Sequence, residues 1–273
     1  MSTPLQPADL LPGDVLLHMG AGELSKLIAW SGDSAYSHAA MVIAGKQLIE
    51  AAAAGVRHAG LVDRTHMLAN FNFIDVFRPL KPIATDAAGF AAVLAAAEVY
   101  LGRPYPMTSL LTLGIVCAVR NKMPGDPQLR QALRMAFDLV INNDPNQVVC
   151  SELVYRAYDE AATKPAHALR LPIDTQRSAG SVKLPKIDLQ ALIAECIDDY
   201  NRSRQNTAPM ALNVAADDRD VADLLAQARE RLGVDLMPRS GSGEYTPNPK
   251  TILPADLEFS PGLRKVGRLA LTR

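Results

Sequence analysis

Cys150 and His38 are the residues whose types and settings best fit covalent chemistry in this chain. A thiolate, not a thiol, is the nucleophile. Backbone N–H groups at a helix N-terminus carry partial positive charge and favour that anion. Val149, Leu153, Val154, Ala157, Tyr158 and Ala161 fall at helical spacing behind the turn Asp144-Pro145-Asn146. That pattern predicts Cys150 in the first turn of a helix. A histidine within reach can take the thiol proton and later give it to a leaving group. His38 heads the apolar run Ala39–Ile43, a strand candidate. Glu50 follows in the run Gln47–Ala51, a second strand candidate. Side chains on one face of neighbouring strands meet, so Glu50 is expected to orient His38 as the third group such a site needs. Each residue alone has an ordinary alternative. A lone cysteine near a helix start is commonly a small buried hydrophobe, and a lone histidine before a strand is commonly structural or exposed.

The elements that must position these groups can be read in order. Pro12-Gly13-Asp14 is a turn signal, and Val15-Leu16-Leu17 follows as a strand. Leu24 to Trp30 predicts a short helix, broken by Ser31-Gly32-Asp33-Ser34. Gly45-Lys46 offers the tight turn of a hairpin between the His38 and Glu50 runs. Phe73 to Arg78 is a further strand, stopped by Pro79, so the first 80 residues predict a small antiparallel sheet. Ala87 to Leu101 is alanine-rich and helical, ended by Gly102-Arg103-Pro104. Amphipathic runs at Gln128–Ile141, Asp188–Arg204 and Asp218–Leu232 predict more helices, and Arg239–Lys250 reads as a loop. The expectation is a single α+β domain over residues 1–273.

Composition removes several classes. The chain has 273 residues, nearly half of them apolar, enough for a sizeable core. A net charge of −1 with mixed signs leaves no basic face for nucleic acid. Three unclustered cysteines, Cys117, Cys150 and Cys196, argue against a disulfide framework and fit a reducing compartment. No CxxC pair or HExxH string is present, so neither a metal nor a cofactor is expected. The start, MSTPLQPADLLPGD, lacks a basic segment and an apolar run. A cytoplasmic location is the default expectation, with export by a signal-peptide-independent route left open. The apolar stretch Met107–Val119 is too short to span a bilayer. It reads as a buried helix or as a lipid-facing or substrate-facing cover.

Several strings carry a resemblance. LGRPY at 101–105 and VVCSELVYRAY at 148–158 resemble a Gly-x-Pro-Tyr element leading to a Cys-Ser-x-Leu-Val helix in NlpC-type papain-like hydrolases. PGDVLLH at 12–18 and SHAAMVIAGKQLIEA at 37–51 resemble that superfamily's Pro-Gly-Asp strand, histidine strand, turn and second polar residue. Those pieces follow the cysteine in the standard order and precede it here. That order resembles the circularly permuted YiiX-like branch, related to the lecithin:retinol acyltransferase group. TILPADLEFSPGLRKVG at 251–267 is similar to the branch's closing segment. The resemblance covers roughly residues 8–80, 88–106, 146–162 and 250–267.

The resemblance implies a permuted papain-like fold. A small antiparallel sheet would pack on the helix bearing Cys150, with helical insertions at about 106–145 and 195–248. It implies Cys150 as nucleophile, His38 as general base, Glu50 as third residue and Tyr105 near the reaction centre as a donor to the oxyanion. The expected function is a cysteine hydrolase working through a thioester, on peptide or cell-wall amides. A lipid esterase, phospholipase or acyltransferase with the same residues is the alternative, with lipid contact through 107–119. A non-catalytic binding module is the third reading.

Other candidates have plainer readings. His18, His58, His66 and His167 are expected on the surface or in packing, and Cys117 and Cys196 in the core. Asp14 is expected to shape its turn, Ser37 and Ser151 to satisfy backbone groups, and Arg57, Arg64 and Arg78 to be solvated.

Overall fold

The structure is a computed structural model that describes residues 3–81, 87–106, 146–174, 185–188, positions 190–192, 194, 195 and 198, and 249–272. The expectations for Met107–Val119, Gln128–Ile141, Asp218–Leu232, Cys117 and Cys196 lie outside these residues, as does most of Asp188–Arg204 and of Arg239–Lys250.

The short apolar runs of the first 80 residues form five strands: β1 Val15–Gly20, β2 His38–Ile43, β3 Gln47–Ala52, β4 Gly55–Gly60 and β5 Phe71–Pro79. Helix α1, Glu23–Ser31, joins β1 to β2, and the short helix α2, Leu61–Thr65, follows β4. The β2–β3 turn works because Gly45 and Lys46 both take positive φ, 73° and 57°. Beyond it come α3, Ala87–Glu98, then α4, Cys150–Asp159, then α5, Pro254–Glu258, and finally β6, Leu263–Arg268.

The six strands form one antiparallel sheet in the order β4-β3-β2-β1-β5-β6. The expected α+β class and the small antiparallel sheet are therefore present. β4 and β6 were not anticipated. Gly55 and Gly60 bound β4 and mask its strand character, while β6 comes from the far end of the chain.

Alternation along the strands makes two cores. Leu17, Ala39, Met41, Ile49 and Ala51 face α3 and α4, meeting Val93, Leu153, Val154 and Tyr155. Leu16, Ala40, Val42 and Leu48 face the other way, toward Leu61 of α2 and Leu269 near the C-terminus. With both faces covered, the inner strands read as continuous apolar runs. Tyr158 of α4 donates its hydroxyl to the Gly13 carbonyl, fastening the helix to the Pro-Gly-Asp turn.

Helix α3 stops at Glu98, three residues before the expected end. The chain then tightens into i→i−3 bonds, Tyr100 N–H to Ala97 O (3.1 Å) and Leu101 N–H to Glu98 O (3.1 Å), and turns at Gly102 with φ 77°. This turn lets Val56 N–H bond Arg103 O at 2.9 Å, and Gly102 N–H bond Val56 O at 2.9 Å. Residues 102–103 thus dock on the start of β4. Gly55 permits that approach: its φ is 92°, and a Cβ there would lie 2.7 Å from the Arg103 carbonyl oxygen. Gly55→Ala is accordingly expected to destabilise the fold by about 1–3 kcal/mol, seen as a lower urea midpoint with an unchanged slope.

Candidate active site

Cys150 is the first residue of α4, with Val149 in extended conformation as N-cap. Its own N–H lies in the turn that has no intrahelical acceptor. The Glu152 carboxylate reaches back to the Val149 N–H at 3.3 Å, as a third-position acid commonly does. Glu152 is buried, and Arg156 Nε at 2.8 Å and Lys250 Nζ at 3.5 Å offset its charge. The helix start therefore stays favourable to an anion at Cys150. Ser151 anchors the same turn by donating to the Ile252 carbonyl at 2.6 Å. Its expected backbone role holds, as does that of Ser37, which accepts from Gly20 N–H at 3.0 Å.

His38 begins β2, and Glu50 stands on β3 opposite Ala40, so both side chains leave the same face of the sheet. The strand start lets the ring reach the end of the sheet where α4 begins. His38 Nε2 and Glu50 Oε2 are 3.0 Å apart. Protonated Nε2 donates there, which leaves Nδ1 for the cysteine. Cys150 interacts with the His38 side chain and with the backbone N–H groups of Ala39 and Ser151. The structure thus brings Cys150, His38 and Glu50 together from three elements.

Tyr105 is half-buried against the helix-side core. It follows Pro104, whose carbonyl accepts the Val148 N–H at 3.1 Å, two residues before Cys150. That bond ties the residue before Tyr105 to the segment leading into α4.

The charges are mutually supporting. Burial alone would raise the Cys150 thiol, but the His38 imidazolium and the backbone N–H groups outweigh it and hold the thiol below its ordinary value. Burial pulls His38 down, yet the Cys150 thiolate and Glu50 prevail and push it up to about 9. Burial likewise opposes the Glu50 carboxylate, and the His38 bond with the Arg64 charge holds it well below the usual carboxylate range. A thiolate–imidazolium pair is the stable form between the depressed thiol value and about 9.

The three arginines expected to be solvated each pair with a carboxylate. Arg64 is only 4% exposed, and its Nη2 lies 2.6 Å from Glu50 Oε2. Arg57 is half-exposed and bonds Glu50 Oε1 through Nε (3.3 Å) and Nη2 (3.1 Å). Arg78 is not free either; it pairs with Asp14 at 2.8 Å. Asp14 also accepts the Leu11 N–H at 2.8 Å, the turn role expected of it. Burial of the Glu50 strand decides the outcome for Arg57 and Arg64: a buried carboxylate draws any cation that can reach it. Of the two places expected for His18, surface or packing, it takes packing. It is fully buried opposite His38 in the β1–β2 register, with ring centroids 5.1 Å apart. Among the described residues neither of its ring nitrogens has a hydrogen-bond partner, and burial with the nearby Arg64 charge keeps it neutral, well below its ordinary pKa.

Fold and site together define an α+β protein with a buried Cys–His–Glu cluster at one end of an antiparallel sheet. No family model matches the sequence, and no curated protein matches it. A crystal structure of the metalloprotein YiiX from Escherichia coli O157:H7, DUF1105, is similar at a TM-score of 0.45 and 18% identity, over 94% of this chain and 96% of that one. At that level the likeness assigns this chain no activity or ligand. Among the described residues, no group of three His, Cys, Asp or Glu side chains could hold a metal ion. Nor is any described helix long and apolar enough to cross a membrane.

The ion pair predicts its own pH behaviour. Lowering a thiol pKa keeps the thiolate present as pH falls below the ordinary thiol value; raising the histidine keeps its proton until about pH 9. Iodoacetamide should therefore alkylate Cys150 at a pH below the ordinary thiol value, and His38→Gln should slow that step about tenfold or more. Equal rates, read by mass spectrometry of the Cys150 peptide, would refute the pairing.

Proposed function

We propose that this chain is a cysteine hydrolase of the permuted papain-like type that cleaves amide bonds through a thioester at Cys150. One observation carries the reading. His38 is tied to Glu50 through Nε2 at 3.0 Å while the same ring interacts with a cysteine in the first turn of a helix. The chain order supports the permuted type, because the strands of His38 and Glu50 precede the helix of Cys150.

In this reading the Cys150 thiolate attacks the substrate carbonyl carbon. The oxyanion takes hydrogen bonds from the Cys150 N–H and from the Tyr105 hydroxyl. The His38 imidazolium gives its proton to the departing amine, leaving a thioester and neutral imidazole. A water then attacks the thioester as His38 takes its proton. The thiolate departs, the acid is released, and the ion pair is restored. Glu50 keeps the ring in one tautomer throughout.

A thiol-directed acyl probe should label the native protein at Cys150 and leave Cys150→Ala unlabelled. Peptide amides, cell-wall fragments and phospholipids offered in parallel should release new amine from the first two. Cys150→Ala should cut that release about a thousandfold or more. Fatty acid without new amine would replace the amide reading by an ester one. Absence of labelling under reducing conditions would leave only a binding role.

A further inference from the structure

We propose that Arg64 is a positioning residue of this site: through Glu50 it fixes the His38 ring and tempers the carboxylate's pull on the imidazolium. The inference rests on the proposed reaction at Cys150 but reaches a residue outside its three groups.

The geometry is specific. Arg64 Nη2 and His38 Nε2 share one oxygen, Glu50 Oε2, at 2.6 Å and 3.0 Å. Arg57 occupies the other oxygen through two nitrogens. All four contacts converge on one carboxylate, so it cannot rotate about its terminal bond without breaking some of them. The direction in which it meets His38 is therefore set from behind. Arg57 is half-exposed, and its contact is open to solvent and salt. Arg64 is buried, and its contact is not.

The surroundings direct the Arg64 charge at Glu50. The guanidinium lies over the Phe71 ring at 5.0 Å, and Phe71 also packs on His18 at 4.9 Å. Among the described residues its Nε has no hydrogen-bond partner. Glu50 is its ion-pair partner among the described residues. Its ion pair falls on the Glu50 oxygen that also holds His38.

The electrostatic consequence has a definite sign. The groups facing His38 are Cys150 from α4, Glu50 from β3 and neutral His18 from β1. Arg57 from β4 and Arg64 from α2 stand behind Glu50. Cys150 and Glu50 favour the imidazolium. Two nitrogens bound to one oxygen stand within about 6 Å, where a like charge shifts a pKa by about a unit. Arg64 thus offsets part of the Glu50 charge. His38 keeps its proton for the leaving group yet can still lose it when water attacks. Arg64 is buried, so it does not touch substrate, and its effect belongs in kcat rather than in KM.

The test uses the full chain with Arg64→Met and Arg64→Lys. Two readouts need no substrate: NMR titration of the His38 ring, and the alkaline inflection of Cys150 alkylation. Arg64→Met is expected to move the loss of the His38 proton upward by about one pH unit. It should also lower kcat about tenfold or more at unchanged KM. Arg64→Lys keeps the charge but loses the planar fork. It should return the titration to the native pH while recovering only part of kcat. An unchanged titration in folded Arg64→Met would overturn the inference. So would a loss that falls in KM. If Arg64→Met fails to fold, Arg64→Lys decides: full native kcat would also overturn it. An ordinary thiol profile for Cys150 in the native protein would instead remove the proposed reaction itself, separating the two failures.

Discussion

A carboxylate taken out of water persists as an anion only where cations or N–H groups replace its hydration. Glu50 is 1% exposed, and nitrogens from His38, Arg57 and Arg64 do that work. Much of the site follows from this one requirement. β3 must be an inner strand to bury Glu50. β4 must lie beside it to supply Arg57, and α2 must fold back over that face to supply Arg64. His38 gains a fixed ring and a retained proton because it is the remaining donor. The Cys150 thiolate, in turn, is held by that proton and by the start of α4.

The two faces of the sheet divide the labour. One receives α3 and α4 and carries the larger apolar core, so the helix that bears Cys150 is seated by packing rather than by the polar cluster. The other holds His18, His38, Glu50 and the arginines beside a smaller apolar cluster. The cysteine and the histidine meet only because His38 is the first residue of its strand. A residue deeper in β2 on the His38 face, such as Ala40 or Val42, would be screened from α4 by the sheet itself.

The chain's local signals placed much of this. The helical spacing behind Cys150, the apolar run after His38 and the turn at Gly45-Lys46 each depend on residues close in sequence, and each element formed as read. Glu50 on the neighbouring strand followed from the short turn, which fixes register. The docking of residues 102–104 had no such signal. It depends on Gly55 meeting the Arg103 carbonyl, two positions far apart in the chain.

Arg64 and His18 show where sequence reading stops. Both looked like ordinary polar residues, because nothing within a few positions marks either. The β1–β2 register that sets His18 against His38 is not fixed by a hairpin, since α1 intervenes. Arg64 reaches Glu50 only after β4 and α2 have packed. The sequence by itself determined the strand–turn–strand hairpin and the helix behind Cys150, since these rest on local period and turn chemistry, while the choice of Cys150, His38 and Glu50 as a set leaned on the resemblance of their surrounding strings. Only the tertiary structure decided that Glu50 is buried, that two arginines must answer its charge, and that a neutral histidine lies against His38. Burial and charge balance are properties of the packed sheet, and no stretch of chain carries them alone.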